Sequence, residues 1–252
     1  MRVSLVTGGG RGIGRAIALA LAGPDTFVAI AGRTRRDLDA TAADLERLGG
    51  RALALEMDVT DEASIARAVG KLRGATAMLD VLVNNAGIGG GEPVAGSSTD
   101  RWRKTIDTNL TGMYLVTREA IGLLPDAGRI VNISSVLGRF GVPGYTAYCA
   151  SKHGVIGFTR ALALELAPRK ITVNALCPGW VDTEMAAQGM QQGADAAGWT
   201  FEKFRERALG RVPLQRIIQP EEIASLVAFL VSPAASAITG QTYNICGGQT
   251  MD

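Results

Sequence analysis

Short runs of β-branched and aliphatic residues alternate along the chain with longer stretches in which apolar positions recur every three or four residues. The runs are VSLVT (3–7), FVAIA (27–31), ALALE (52–56), VLVNN (81–85), RIVNIS (129–134), ITVNAL (171–176) and TYNI (242–245). Helical periodicity covers 12–22, 35–48, 61–72, 99–124, 146–167 and 220–231. Strand followed by helix, six times over, predicts a parallel sheet with right-handed crossovers and helices on both faces. The fold class is therefore α/β, a doubly wound parallel sheet of seven strands flanked by helices, in a single domain spanning 1–252. A Gly/Ala/Gln-rich segment from Met185 to Trp199 interrupts the pattern and is expected to be a mobile loop.

Composition narrows the classes of function. With 252 residues and 47% hydrophobic content the chain can bury the core of one domain. Its 26 basic and 24 acidic side chains leave a net charge of +2, so no nucleic-acid partner read through bulk charge is expected, and partners should be small molecules. The opening MRVSLVTGGG lacks the charged and long apolar regions of a signal peptide. No stretch reaches the roughly 18 apolar residues of a membrane span, and a cytoplasmic protein is expected. Cys149, Cys177 and Cys246 are odd in number and widely spaced, as reduced thiols would be. The sole histidine, His153, rules out a histidine-based triad or a multi-histidine centre, and no metal is expected.

The chemistry begins with glycines. Thr7-Gly8-Gly9-Gly10-Arg11-Gly12-Ile13-Gly14 leaves the first strand and opens the first helix, where glycine lets a pyrophosphate approach the backbone and a helix N-terminus. This is the Rossmann-type setting, but the spacing T-G-x-x-x-G-x-G is longer than the ordinary dinucleotide fingerprint. An acidic residue that would hold a ribose 2′-hydroxyl is missing where the second strand ends; Gly32 stands there, followed by Arg33, Thr34, Arg35 and Arg36. Thr34 with Asp37 reads as a capping box, which places Arg35 and Arg36 in a first helical turn where cations oppose the dipole. An anion would relieve that, and Arg33 with Arg11 could grip the 2′-phosphate of NADP. A solvated basic helix start is the competing reading.

Tyr148 and Lys152 stand one helical turn apart, with Ser135 thirteen residues before the tyrosine. A free phenol titrates near 10, and an ammonium about 4 Å away favours the phenolate by about 4 kcal/mol at an effective dielectric near 20. The spacing is therefore expected to bring Tyr148 towards neutral pH, although tyrosines and lysines also sit four apart on solvated helices.

With the glycine turn, Asn84-Asn85-Ala86-Gly87, Asn109, Ser135, Tyr148-x-x-x-Lys152 and Pro178-Gly179 in this order, the chain resembles the short-chain dehydrogenase/reductase family over essentially its whole length. The resemblance implies that Tyr148 protonates a carbonyl oxygen as hydride arrives from the nicotinamide, while Ser135 donates a hydrogen bond to the same oxygen. It implies that Lys152 lowers the phenol pKa and binds the nicotinamide ribose, and that Asn109 holds a helix distortion and a water that links Lys152 to solvent. Ser134 and Tyr145 are the rivals of Ser135 and Tyr148, and Tyr145 is expected to line the substrate pocket. Cofactor contacts carry over to Gly8, Gly10, Arg11, Gly12, Ile13 and Gly14, to Arg33, to Asp58 and Val59, to Asn85, Ala86 and Gly87, and to Pro178, Gly179, Val181 and Thr183. Asp58 could equally serve a turn, and Thr183 a helix N-cap.

Within the family, SKHGVIGFTRALALELA, NALCPGWVDTEM and ITGQTYNICGG resemble the ketoreductases of fatty-acid and polyketide synthesis. The Pro-Gly-Gly often found in aromatic polyketide members corresponds here to Gly89-Gly90-Gly91. Residues 185–214 are expected to form a substrate lid, with Met185, Met190, Trp199, Phe201 and Phe204 apolar. Lys203, Arg205, Arg207 and Arg211 would either meet a phosphopantetheine or CoA, or form a solvated face with Glu202 and Glu206. The expected activity is NADPH-dependent reduction of a 3-oxoacyl thioester or polyketide ketone. A dehydrogenase of free secondary alcohols or cyclic ketones, and a non-catalytic NADP-binding regulator, are the alternatives. The family's pairing of helices near 110–124 and 146–167 implies a homotetramer.

Overall fold

In the computed structural model, which describes residues 1–251, seven parallel strands form one sheet in the order β3-β2-β1-β4-β5-β6-β7. They are β1 (Arg2–Thr7), β2 (Thr26–Gly32), β3 (Arg51–Glu56), β4 (Val81–Asn84), β5 (Arg129–Ile133), β6 (Thr172–Pro178) and β7 (Thr242–Ile245). Helices α1 (Gly12–Ala20), α2 (Arg35–Arg47), α3 (Glu62–Ala75), α4 (Thr99–Ile106), α5 (Gly112–Ala120), α6 (Thr146–Leu166), α7 (Glu184–Ala197), α8 (Phe201–Leu209) and α9 (Pro220–Val231) complete it. Every expected strand is present. Among the described residues no helix is long and apolar enough to cross a membrane.

The strands are apolar at consecutive positions because each one serves two cores. On β2, Phe27, Ala29 and Ala31 face the core built with α3, α5 and α6, while Val28 and Ile30 face the core built with α1, α2 and α9. The strand order reverses between β1 and β4, so the loops after these two strands part and leave a crevice at the carboxyl edge. Ligands of doubly wound sheets bind there.

Two expectations are corrected. The segment from Met185 to Trp199 is helix α7 rather than a mobile loop: Thr183 Oγ1 accepts from Ala186 N at 3.2 Å, and Gly198 ends it at φ +64°. Its alanines, methionines and glutamines are good helix formers. Its internal glycines make room for aromatic rings, since a Cβ on Gly193 would overlap the Phe204 ring and one on Gly189 would meet Trp180 at 3.6 Å. The stretch 99–124 is not one helix either. It runs as α4, a π-helical turn at Asp107–Thr111, α5 and a short 3-10 turn at Ile121–Leu123.

Candidate active site

The glycine turn is tightly folded against β4. Gly8 and Gly12 take φ of +66° and +53°, which L side chains rarely adopt. A Cβ on Gly14 would overlap the Gly8 carbonyl oxygen and the Asn85 side-chain amide. That amide instead donates to Thr7 O at 2.9 Å, and Thr7 Oγ1 accepts from the backbone N–H of both Asn85 and Ala86 at 3.0 Å. The two parted loops are thereby tied together. The first turn of α1 carries no acidic residue, and its N-cap, Arg11, makes no side-chain cap, so the helix start is left open for an anion.

At the end of β2 the expected capping box is not formed. Thr34 is the N-cap of α2 but its side chain caps nothing, and Asp37 packs against Gly10, where a Cβ would stand 3.0 Å from it. The first-turn cation Arg35 is balanced within its own helix by Asp39 at 2.8 Å. Arg33 is exposed, and its charge helps hold the Asp58 carboxylate below its ordinary value. The larger cause is the Thr60 backbone N–H, which Asp58 Oδ1 accepts at 2.9 Å, so Asp58 does serve a turn. Val59 is buried, its carbonyl against Gly112. Arg11 pairs with Glu184, in the first turn of α7, at 2.6 Å. Both partners are exposed, and such pairs are easily exchanged.

Ser134 and Ser135 follow β5 directly, and the two hydroxyls divide the work. Ser134 Oγ donates to Lys152 O at 2.8 Å, fastening α6 to the strand end. Ser135 Oγ accepts from Leu137 N at 3.1 Å and lies close enough to the Tyr148 hydroxyl to lower its pKa. Lys152 is buried, its ammonium donating to Ile133 O at 2.9 Å and lying 5.7 Å from the centre of the Tyr148 ring. Asn109, fully buried in the π-helical turn, accepts from Ile88 N at 2.8 Å and donates to Ile88 O at 2.9 Å and Ser151 Oγ at 3.2 Å. A Cβ on Gly87 would stand 3.2 Å from Asn109 Oδ1 and 3.7 Å from Lys152 Nζ, so these three form one wall. Behind them Asn84 donates to Asn132 and Thr117, and Asn132 to Thr159, at 2.9–3.0 Å. That buried chain joins α5 and α6 to the sheet.

The expected depression of the Tyr148 phenol by Lys152 is not found. Burial pushes Tyr148 up to about 12, against the lowering effect of Ser135. Burial also pushes Lys152 down to about 8. Same-face spacing holds, but the ammonium is aimed at a backbone carbonyl and both groups are desolvated, so burial outweighs their mutual attraction.

Residues 8–250 match the family model described as Enoyl-(Acyl carrier protein) reductase. The chain is 40% identical over 254 residues to the 3-oxoacyl-[acyl-carrier-protein] reductase of Synechocystis, covering 99% of this chain and 97% of that protein. It superposes with a TM-score of 0.94 on a single-residue variant of actinorhodin polyketide ketoreductase crystallised with NADPH, at 42% identity, covering 98% of this chain and 97% of the other. A dehydrogenase/reductase from Sinorhizobium meliloti superposes with a TM-score of 0.89 at 34% identity, covering 99% and 95%. This chain belongs to the short-chain dehydrogenase/reductase family.

Elements after β6 stand beside the crevice of this short-chain dehydrogenase/reductase. Pro178 ends β6, and Gly179 lies so close to Cys246 that a Cβ would stand 3.0 Å from its Cα. Val181 is buried and bridges to Ile218, while Thr183 caps α7 and lies against Gly12. Met185 is exposed and reaches Gly89, whereas Met190 is buried and Phe204 fills the space over Gly193. Trp199 carries Lys203 and Arg207 over its ring at 5.0 and 5.4 Å, which accounts for two of the four lid cations. Arg101, Gln192 and Glu184 were not anticipated in the sequence reading. Arg101 and Gln192 meet over Gly90, and no local motif marks them.

Proposed function

We propose that this protein is an NADPH-dependent carbonyl reductase whose substrate is a 3-oxoacyl thioester or polyketide ketone. The observation that carries the reading is the meeting of the Ser135 and Tyr148 hydroxyls beside the buried Lys152 ammonium, next to an open, glycine-lined helix start. The turn fits a dinucleotide: Gly8 and Gly12 take left-handed backbone conformations at the opening of α1, no side chain caps that helix start, and no acidic side chain occupies its first turn. Gly8, Gly10, Arg11, Gly12, Ile13 and Gly14 would hold the phosphates, Asp58, Val59, Asn85, Ala86 and Gly87 the adenosine side, and Pro178, Gly179, Val181 and Thr183 the nicotinamide side. Arg33 would favour the 2′-phosphate, the reading also supported by the NADPH in the polyketide ketoreductase structure. When bound, the cofactor supplies the hydride.

The chain's own residues supply the rest. Ser135 donates a hydrogen bond to the carbonyl oxygen and orients it towards Tyr148. Tyr148, protonated at neutral pH, delivers the proton. Lys152 holds the nicotinamide ribose and provides positive charge as the phenolate forms, and Asn109 fixes the π-helical turn beside it. The exposed Leu164 on α6 and Tyr114 on α5 support pairing of those helices in a homotetramer, which light scattering at micromolar concentration would test.

The test is spectrophotometric oxidation of NADPH, compared with NADH, using an acetoacetyl thioester, a polyketide mimic and a simple cyclic ketone. Turnover favouring NADPH and the thioester or mimic is expected. Tyr148→Phe should lower it by about a thousand-fold or more while NADPH still binds. Preference for NADH, or substantial activity in Tyr148→Phe, would refute the assignment.

A further inference from the structure

A cation stands in the wall of the crevice one aromatic ring away from the proposed proton donor, and the proposed reaction does not use it. Arg101, in the first turn of α4, shares a cavity wall with Gly90, Glu92, Ser98, Trp102 and Tyr145. Its guanidinium lies over Gly90, which takes φ +108° and where any Cβ would overlap Arg101 Nη2 and stand 3.4 Å from Gln192 Oε1. Three separate elements therefore converge on one point: the loop after β4, the start of α4, and α7. The glycine is what admits the guanidinium.

Tyr145 connects this point to the chemistry. A Cβ on Gly91 would stand 2.9 Å from the Tyr145 ring, and that ring meets the Tyr148 ring edge-on with centres 6.5 Å apart. Burial raises the Tyr145 phenol, and the Arg101 charge acts against the rise. The nearby carboxylate, Glu92, accepts from Ser98 N at 3.2 Å. Among the described residues Arg101 lies in no ion pair.

We infer that Arg101 is a specificity-determining residue which, with Gln192 and Tyr145, receives an anionic oxygen of the substrate beyond the carbonyl that is reduced. A guanidinium presents a planar fork of donors suited to such an oxygen. The Tyr145 phenol is within the same wall, and Gln192 adds an amide whose N–H₂ can donate. The inference rests on Tyr148 facing the reducible carbonyl. It places the second oxygen on the far side of the Tyr145 ring.

The experiment compares a cyclic ketone bearing a carboxylate with its methyl ester. In the wild-type protein the ratio of kcat/KM for the acid over the ester should exceed one. Arg101→Gln should lower that ratio about ten-fold, equivalent to about 1.4 kcal/mol, with the loss in KM. Arg101→Lys should restore part of it, and added salt should narrow the wild-type ratio, because the guanidinium is exposed. A wild-type ratio at or below one, or a ratio unchanged in Arg101→Gln, would overturn the inference. A wild-type protein that reduces the thioester but neither of these compounds would overturn this inference and leave the reading of Tyr148 standing, whereas one that also fails on the thioester would overturn both.

Discussion

Replacing Lys152 by methionine should remove a specific pH dependence from the stability of the ligand-free protein. Methionine keeps the unbranched stem and deletes the charge, and the residue is 5% exposed, so solvent screens little. Burial lowers Lys152 to about 8 from an ordinary 10.5. Below both values the ammonium is present folded and unfolded, and the folded state bears the whole desolvation penalty. As pH rises from about 8 to about 10.5 the folded protein has lost the proton while the unfolded chain still binds it, so stability increases across that window. A shift of about 2.5 units is about 3.4 kcal/mol, of which about 2 kcal/mol is relieved between about pH 7 and pH 9.5. Urea unfolding at the two pH values should show the wild-type protein gaining about 2 kcal/mol more than Lys152→Met, or about 4–8 °C in Tm for a domain of this size. Losing the Nζ bond to Ile133 O offsets both pH values equally and drops out of the comparison. Parallel curves for the two proteins would refute the claim that this lysine is held against its charge.

Gly14→Ala should weaken NADPH binding and cost about 1–3 kcal/mol of stability, because the new Cβ overlaps the Gly8 carbonyl and the Asn85 amide; calorimetric titration and thermal unfolding measure both. Asn109→Ala should lower stability by about 1–3 kcal/mol per buried group left unpaired, since it strands both polar groups of Ile88, and an unchanged Tm would count against it. The kcat/KM for reduction should fall as pH rises through about 8, where Lys152 loses its proton, well before Tyr148 titrates near 12. A profile flat to about pH 10 would show that the charge on Lys152 is not required.

The sheet was legible because its strands are buried on both faces, which writes continuous apolar runs into the sequence. Helix α7 was not, because Gly189 and Gly193 read as breakers when they in fact seat Trp180 and Phe204, a packing reason that no local pattern records. The Thr34 to Asp37 spacing misled for a related reason: Asp37 packs on Gly10, a contact made across the glycine turn. Motif order named Asn109, Ser135, Tyr148 and Lys152 as candidates, and the structure places them near one another at the carboxyl edge of the sheet. Arg101 was illegible since its meaning depends on Gly90 and Gln192, which lie on two other elements.

The opposed shifts of Tyr148 and Lys152 explain why spacing alone misjudged the pair. Four residues on a helix put two side chains on one face, but the energy of a charge there depends on what else faces it. Each group meets burial first, so each is pushed towards its neutral form. A phenol held protonated at neutral pH is the form that reduction needs. Once the proton has left, the phenolate and the ammonium are no longer isolated buried charges, because each relieves the desolvation of the other. In the proposed reaction Lys152 would therefore be more valuable after proton transfer than before it, and stabilisation that grows along a reaction is the kind that accelerates it. The resting bond from Lys152 to the Ile133 carbonyl keeps the ammonium near the ring, 5.7 Å from its centre, without spending that attraction on the ground state.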